Sequence, residues 1–221
     1  MKCNCKSKEA IITVLIIAGG IFGAIDWYLS HPILLNIFPS SHQMRFTSAL
    51  SFIMVGLIYF SVYEIIHADH KNIDFALLIL PAAALSIILF VTFYVAEKIF
   101  GIPVDAENIF IGKSASLVRM SAVTAFSFFI IALVGLAAMF KIKWIRIVIL
   151  IGGVIVGLSG LLAILGYALN IKMLYFDIDI LGISGAMSLA SAIIFLITGI
   201  GFSLMGICFD FNNIESIFNI A

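Results

Sequence analysis

The side chains able to do chemistry are few and scattered along this chain. The four histidines are His31, His42, His67 and His70, and the three cysteines are Cys3, Cys5 and Cys208. A haem held between helices needs both axial ligands at one depth, so only His31 with His42, or His67 with His70, could pair. His67 and His70 flank Asp69 and follow Glu64, which reads as a wet helix end rather than a metal centre. Cys3 and Cys5 form a lone CxC in a basic tail; two thiols do not complete a zinc site, and a cytoplasmic tail keeps them reduced. Asp26 and Glu64 sit close to opposite ends of apolar runs, where they are expected to reach water by snorkelling. No nucleophile–base–acid set emerges. The expectation is a non-catalytic protein with no metal and no cofactor.

Those residues are carried on an apolar chain. Of 221 residues, 63% are hydrophobic and 11% charged, less than half the charge of an ordinary soluble domain. Lipid is the solvent that such a composition requires, and in lipid the backbone must satisfy itself within helices or a closed barrel. The apolar runs are long and unbroken, so helices are expected. Six runs reach the length of about 20 residues that a span needs, near 10–29, 45–67, 73–99, 118–140, 144–170 and 185–208. The first is read as a retained helix, because no small-residue cleavage site precedes "DWYLSH". Pro81 is a point at which the third could break. The fold class is therefore all-α, a polytopic membrane helical bundle in the cell membrane.

Lys2, Lys6, Lys8, Lys71, Lys141, Lys143 and Arg146 fall on one side; Arg45, Lys98, Lys113, Arg119 and Lys172 fall on the other. Seven against five, with clusters beside helix ends, puts both termini in the cytoplasm. The formal charge is zero and no basic stripe exists, so nucleic acid is not an expected partner.

One phrase is written three times: "MRFTSALSFIMVG" from Met44, "MSAVTAFSFFIIA" from Met120 and "MSLASAIIFLITG" from Met187. Residues four apart drift only about 40° around a helix, so Met, Ser or Thr, Phe and Gly or Ala form one stripe. Small residues there let helix backbones approach, as do the glycine pairs of the odd-numbered spans. The expected packing residues are Gly19, Gly23, Ser48, Ala49, Thr124, Ala125, Gly153, Gly157, Ser191 and Ala192. Gly157 is expected to meet a neighbouring helix closely, whereas Gly201, off the stripe, should tolerate a larger side chain better. The chain reads as a single membrane domain of three hairpin repeats, 9–67, 73–140 and 144–208, with short tails 1–8 and 209–221.

Two phrases extend the pattern. Phe100, Gly101, Asp105, Arg119, Met120, Ser121, Thr124, Ala125 and Phe128 form the first; Gly166, Tyr167, Leu174, Tyr175, Met187, Ser191, Ala192 and Phe195 form the second. In both, the chain resembles the multi-helix membrane region found N-terminal to PAS domains, histidine kinases and diguanylate cyclases. The resemblance implies a signal-input module passing a membrane or extracytoplasmic cue to a cytoplasmic signalling partner or to a second copy. It implies no ligand. The segment 209–221 is too short for an output domain, which leaves a stand-alone relative, a degraded gene or a piece of a longer chain. Candidate sensing residues on the outer face are Asp26, Trp27, His31, Glu97, Asp105, Glu107, Tyr167, Tyr175, Asp177 and Asp179. The alternative is a small membrane carrier for a neutral or lipid-like solute. Ion-driven transport is not expected, because no acid is placed near mid-span.

Overall fold

The computed structural model describes residues 5–28, 44–67, 73–100, 120–140, 144–171, 173–175 and 185–208. Six helices of membrane-spanning length and hydropathy make up the described regular structure: α1 (Cys5–Tyr28), α2 (Phe46–His67), α3 (Ile73–Phe100), α4 (Ala122–Met139), α5 (Ile145–Leu169) and α6 (Leu189–Cys208). Each matches an expected span, with shifts at the ends that have local causes. The first helix begins at Cys5, inside the stretch assigned to the tail. The start of α4 is set by Ser121, whose extended backbone and hydroxyl cap the Thr124 N–H at 3.1 Å. Ser188 caps the Ser191 N–H in the same way at 3.2 Å, and α6 starts one residue later. Pro81 does not break α3, which runs unbroken for 28 residues. Its missing donor leaves one carbonyl to be satisfied locally.

Five hydroxyls inside the spans are satisfied within their own helices. Thr13, Ser51, Ser86, Thr92 and Thr198 each donate to the carbonyl four residues back, at 2.8–3.0 Å. That arrangement lets a polar side chain lie in lipid or in the bundle without demanding a partner helix.

Neighbours in the chain are neighbours in space. Helix α1 packs on α2, α2 on α3, α3 on α4, α4 on α5 and α5 on α6, and α6 closes the ring against α1. The even helices lie inside. Within their spans 61% of α2, 50% of α4 and 56% of α6 is buried, against 22% of α1, 28% of α3 and 39% of α5. Ile12 of α1 lies beside Gly201 of α6 and Gly19 beside Ile194, so these helices run antiparallel. The start of α1 and the finish of α6 thus share one end of the bundle, called here the near end.

Phe52, Phe128 and Phe195 meet where the three inner helices converge. Their ring centroids lie 4.8–5.0 Å apart in all three pairings, mostly edge to face, and each side chain is fully enclosed. These are the phenylalanines of the three written stripes. Met44, Met120 and Met187 are buried two turns outward from them. Lipid-facing positions carry the expected apolar groups, such as Leu78, Phe126 and Leu158.

Candidate functional site

The small residues of α5 and α6 bring two backbones into direct contact. A methyl built on Gly153 would lie 2.7 Å from the Ser203 nitrogen and 2.9 Å from the Gly199 carbonyl oxygen. One built on Gly160 would lie 2.5 Å from the Ala192 oxygen. Gly157 is roomier, with the Gly199 Cα at 3.4 Å, an ordinary van der Waals contact. On α1 the backbone approach is at Gly20, where an added methyl would lie 2.9 Å from the Ala49 oxygen, while Gly19 and Gly23 face the side chains of Ile194 and Met44. Ser48, Ala49, Thr124, Ala125, Ser191 and Ala192 are all buried. Gly201 overturns its expectation. A methyl there would lie 2.8 Å from the Tyr59 ring and hydroxyl and 2.9 Å from Ile12, so it is the tighter of the two positions compared.

At the far end, α5 finishes in a rigid corner. Asn170 adopts the left-handed conformation at φ 55°, and the Ile171 N–H returns to the Gly166 carbonyl at 2.9 Å, a Schellman-type close. The chain then folds back so that Tyr175 stacks on Tyr167 with centroids 4.5 Å apart and planes 8° apart. The Tyr167 hydroxyl donates to the Met187 carbonyl at 2.6 Å, and the Met187 N–H donates to the Tyr175 carbonyl at 3.0 Å. Two of the proposed sensing residues therefore hold the entry to α6 in place. Trp27 packs its ring on Phe46, 5.5 Å between centroids. His31, Asp105, Glu107, Asp177 and Asp179, and the side chain of Glu97, lie outside the described residues.

At the near end, Arg146 at the start of α5 donates through Nε to the Gly206 carbonyl at 3.0 Å. A cation on the last carbonyls of α6 satisfies open acceptors and opposes the helix dipole. Ser127 of α4 and Ser159 of α5 are joined at 3.1 Å; Ser159 spends its proton on the Val156 carbonyl at 2.8 Å, so Ser127 is the donor between the helices.

Buried acids correct the snorkelling expectation. Asp26 is 3% exposed and Glu64 is 7% exposed, both enclosed by protein. A third acid, Glu9, which opens the first hairpin one residue ahead of the expected span 10–29, is also 3% exposed. Its carboxyl oxygen accepts a hydrogen bond from the Tyr59 hydroxyl across the α1–α2 contact. The Tyr59 ring is fully buried, packed edge-on against Phe202 at 5.0 Å and against Gly201 of α6. Helical spacing held the signal, since Glu9 stands three and seven residues before Ile12 and Ile16 on the face turned inward. Tyr59→Phe keeps the ring and leaves a buried carboxyl without its donor. We expect a loss of about 1–3 kcal/mol, read as a lower melting temperature in detergent, with the helix content unchanged. A melt equal to wild type would mean that water supplies the missing bond.

No protein-family description, curated protein or solved structure matches this chain.

Proposed function

We propose that the chain is a non-catalytic signal-input module of the cell membrane, with both termini in the cytoplasm, which passes a cue from the far end of the bundle to a cytoplasmic partner or a second copy. The observation that carries this reading is the α5–α6 pair. It is locked by the Tyr167–Tyr175 corner at one end, by backbone contact at Gly153 and Gly160 along its length, and by Arg146 on the Gly206 carbonyl at the other. Two helices joined in this way move as one body, so a push on the corner arrives at the end of α6 with little loss. The resemblance of the Gly166–Tyr167 and Leu174–Tyr175 phrases to input regions of kinases and cyclases points the same way.

The reading includes three hairpin repeats. Gly20 approaches the Ala49 oxygen and the Ile53 nitrogen, and Gly160 approaches the Ala192 oxygen and the Leu196 nitrogen, at matching places in the first and third hairpins. Gly56 meets Ile17 as Gly199 meets Gly157. The three stripe phenylalanines then lie around a common axis and occupy the middle of the bundle.

A phase ladder tests the relay. A cyclase reporter is joined after residue 208 through a helical linker lengthened one residue at a time over a full turn, about 3.6 residues. Output should rise and fall with that period if α6 transmits rotation or displacement. A flat ladder, together with uptake of an apolar solute by liposomes carrying the protein, would replace this reading with a carrier.

A further inference from the structure

From the placement of Glu9 against Tyr59 we infer that this pair is a proton-binding site that governs how the near end of α1 docks on the bundle. The inference stands apart from the signal-input reading and holds for a carrier equally. Three observations support it. Glu9 lies inside the protein on a helix that begins at Cys5, and Tyr59, also enclosed, donates to its Oε2. Phe202 and Gly201 clamp the tyrosine ring, so the hydroxyl is held in place rather than free to follow the acid outward. Helix α1 is the least buried of the six, with 22% of its span covered, so it is the element that can shift most cheaply.

The chemistry follows from the cost of charge in an apolar medium. A neutral carboxyl accepts the tyrosine hydrogen bond and stays docked. An ionised one, with a single neutral donor, gains by reaching water, and its ready route is for the first turns of α1 to swing away from α2 and α6. From α2 the titratable group facing Glu9 is Tyr59, with the buried Tyr63 and Glu64 about a turn nearer the end. From α6 the neighbours of the tyrosine ring are Gly201 and Phe202, which carry no charge. The side chains of Lys6 and Lys8 lie outside the described residues. On the correspondence of the first and third hairpins above, Ile149 takes the place of Glu9, so the third hairpin has no acid there.

The full chain in liposomes is treated with dicyclohexylcarbodiimide, which enters lipid and reacts with carboxylic acids. The acid's proton moves to a carbodiimide nitrogen, its oxygen bonds the central carbon, and acyl transfer to nitrogen leaves a stable adduct that mass spectrometry places on a residue. The expected result is an adduct on Glu9 whose yield falls as the buffer is made alkaline, and none from a water-soluble carbodiimide with an amine. Hydrogen exchange of the first turns of α1, corrected for intrinsic rates, should quicken over the same change of pH in the wild type and stay constant in Glu9→Gln. No adduct from the lipid-soluble reagent, or equal modification by the water-soluble one, overturns the proposal. A Glu9→Gln chain whose exchange follows pH as the wild type does overturns it too. Should that variant fail to fold, the labelling of the native chain decides.

Discussion

Gly199→Ala is expected to melt well below the wild type in detergent, while Gly157→Ala is expected to melt close to it. The two glycines face each other across one contact, yet their methyl groups would point into different surroundings. On Gly199 the added carbon would fall onto the Gly157 backbone and 2.7 Å from the Gly153 carbonyl oxygen, and backbone cannot rotate aside. On Gly157 it would rest at 3.4 Å from the Gly199 Cα. The first substitution must force α5 and α6 apart along their whole contact, at a cost of about 1–3 kcal/mol for overpacking of this kind. Dispersion is a main attraction between helices in lipid, so separation is not repaid by a hydrophobic term. Equal melts for the two variants would show that the helices do not meet at Gly199. In the reporter fusion described above, Gly199→Ala should also weaken the output, because a loosened pair no longer moves as one body.

Phe52→Ala, Phe128→Ala and Phe195→Ala are each expected to cost about 2 kcal/mol, from a cavity of roughly 100 Å3 at about 24 cal/mol per Å3. The transfer contribution that water would add is small here, since the unfolded helices remain in lipid. Each ring touches the other two, so pairs of substitutions should be less than additive, with couplings of about 0.5–1.5 kcal/mol per ring pair. Phe126→Ala is the comparison. It removes the same side chain from the lipid-facing side of α4, where Phe126 is 57% exposed, and should leave stability nearly unchanged. Equal losses at Phe126 and Phe128 would place the wrong face of α4 inside.

The all-helical class and the six spans were legible in the sequence because lipid leaves the backbone no alternative to helices, and length then counts the crossings. The stripe of methionine, hydroxyl, alanine and phenylalanine was legible too, since residues four apart share a helix face whatever that face meets. Which partner each face meets was not. Gly157 and Gly199 look equivalent as letters, and only the offset of α5 against α6 makes one crowded and the other roomy. Gly201 lies off the stripe but beside Tyr59, a residue 142 positions earlier, so no local spacing could reveal its crowding. Burial of charge depended in the same way on tertiary structure. Asp26 and Glu64 stand at span ends, where composition alone predicts snorkelling, and both are buried instead. Glu9 is hidden by a contact with Tyr59 fifty residues away. Periodicity along one helix reports the direction of a side chain; whether that direction holds lipid, water or another helix is decided by packing, through the few ångströms that separate one backbone from the next.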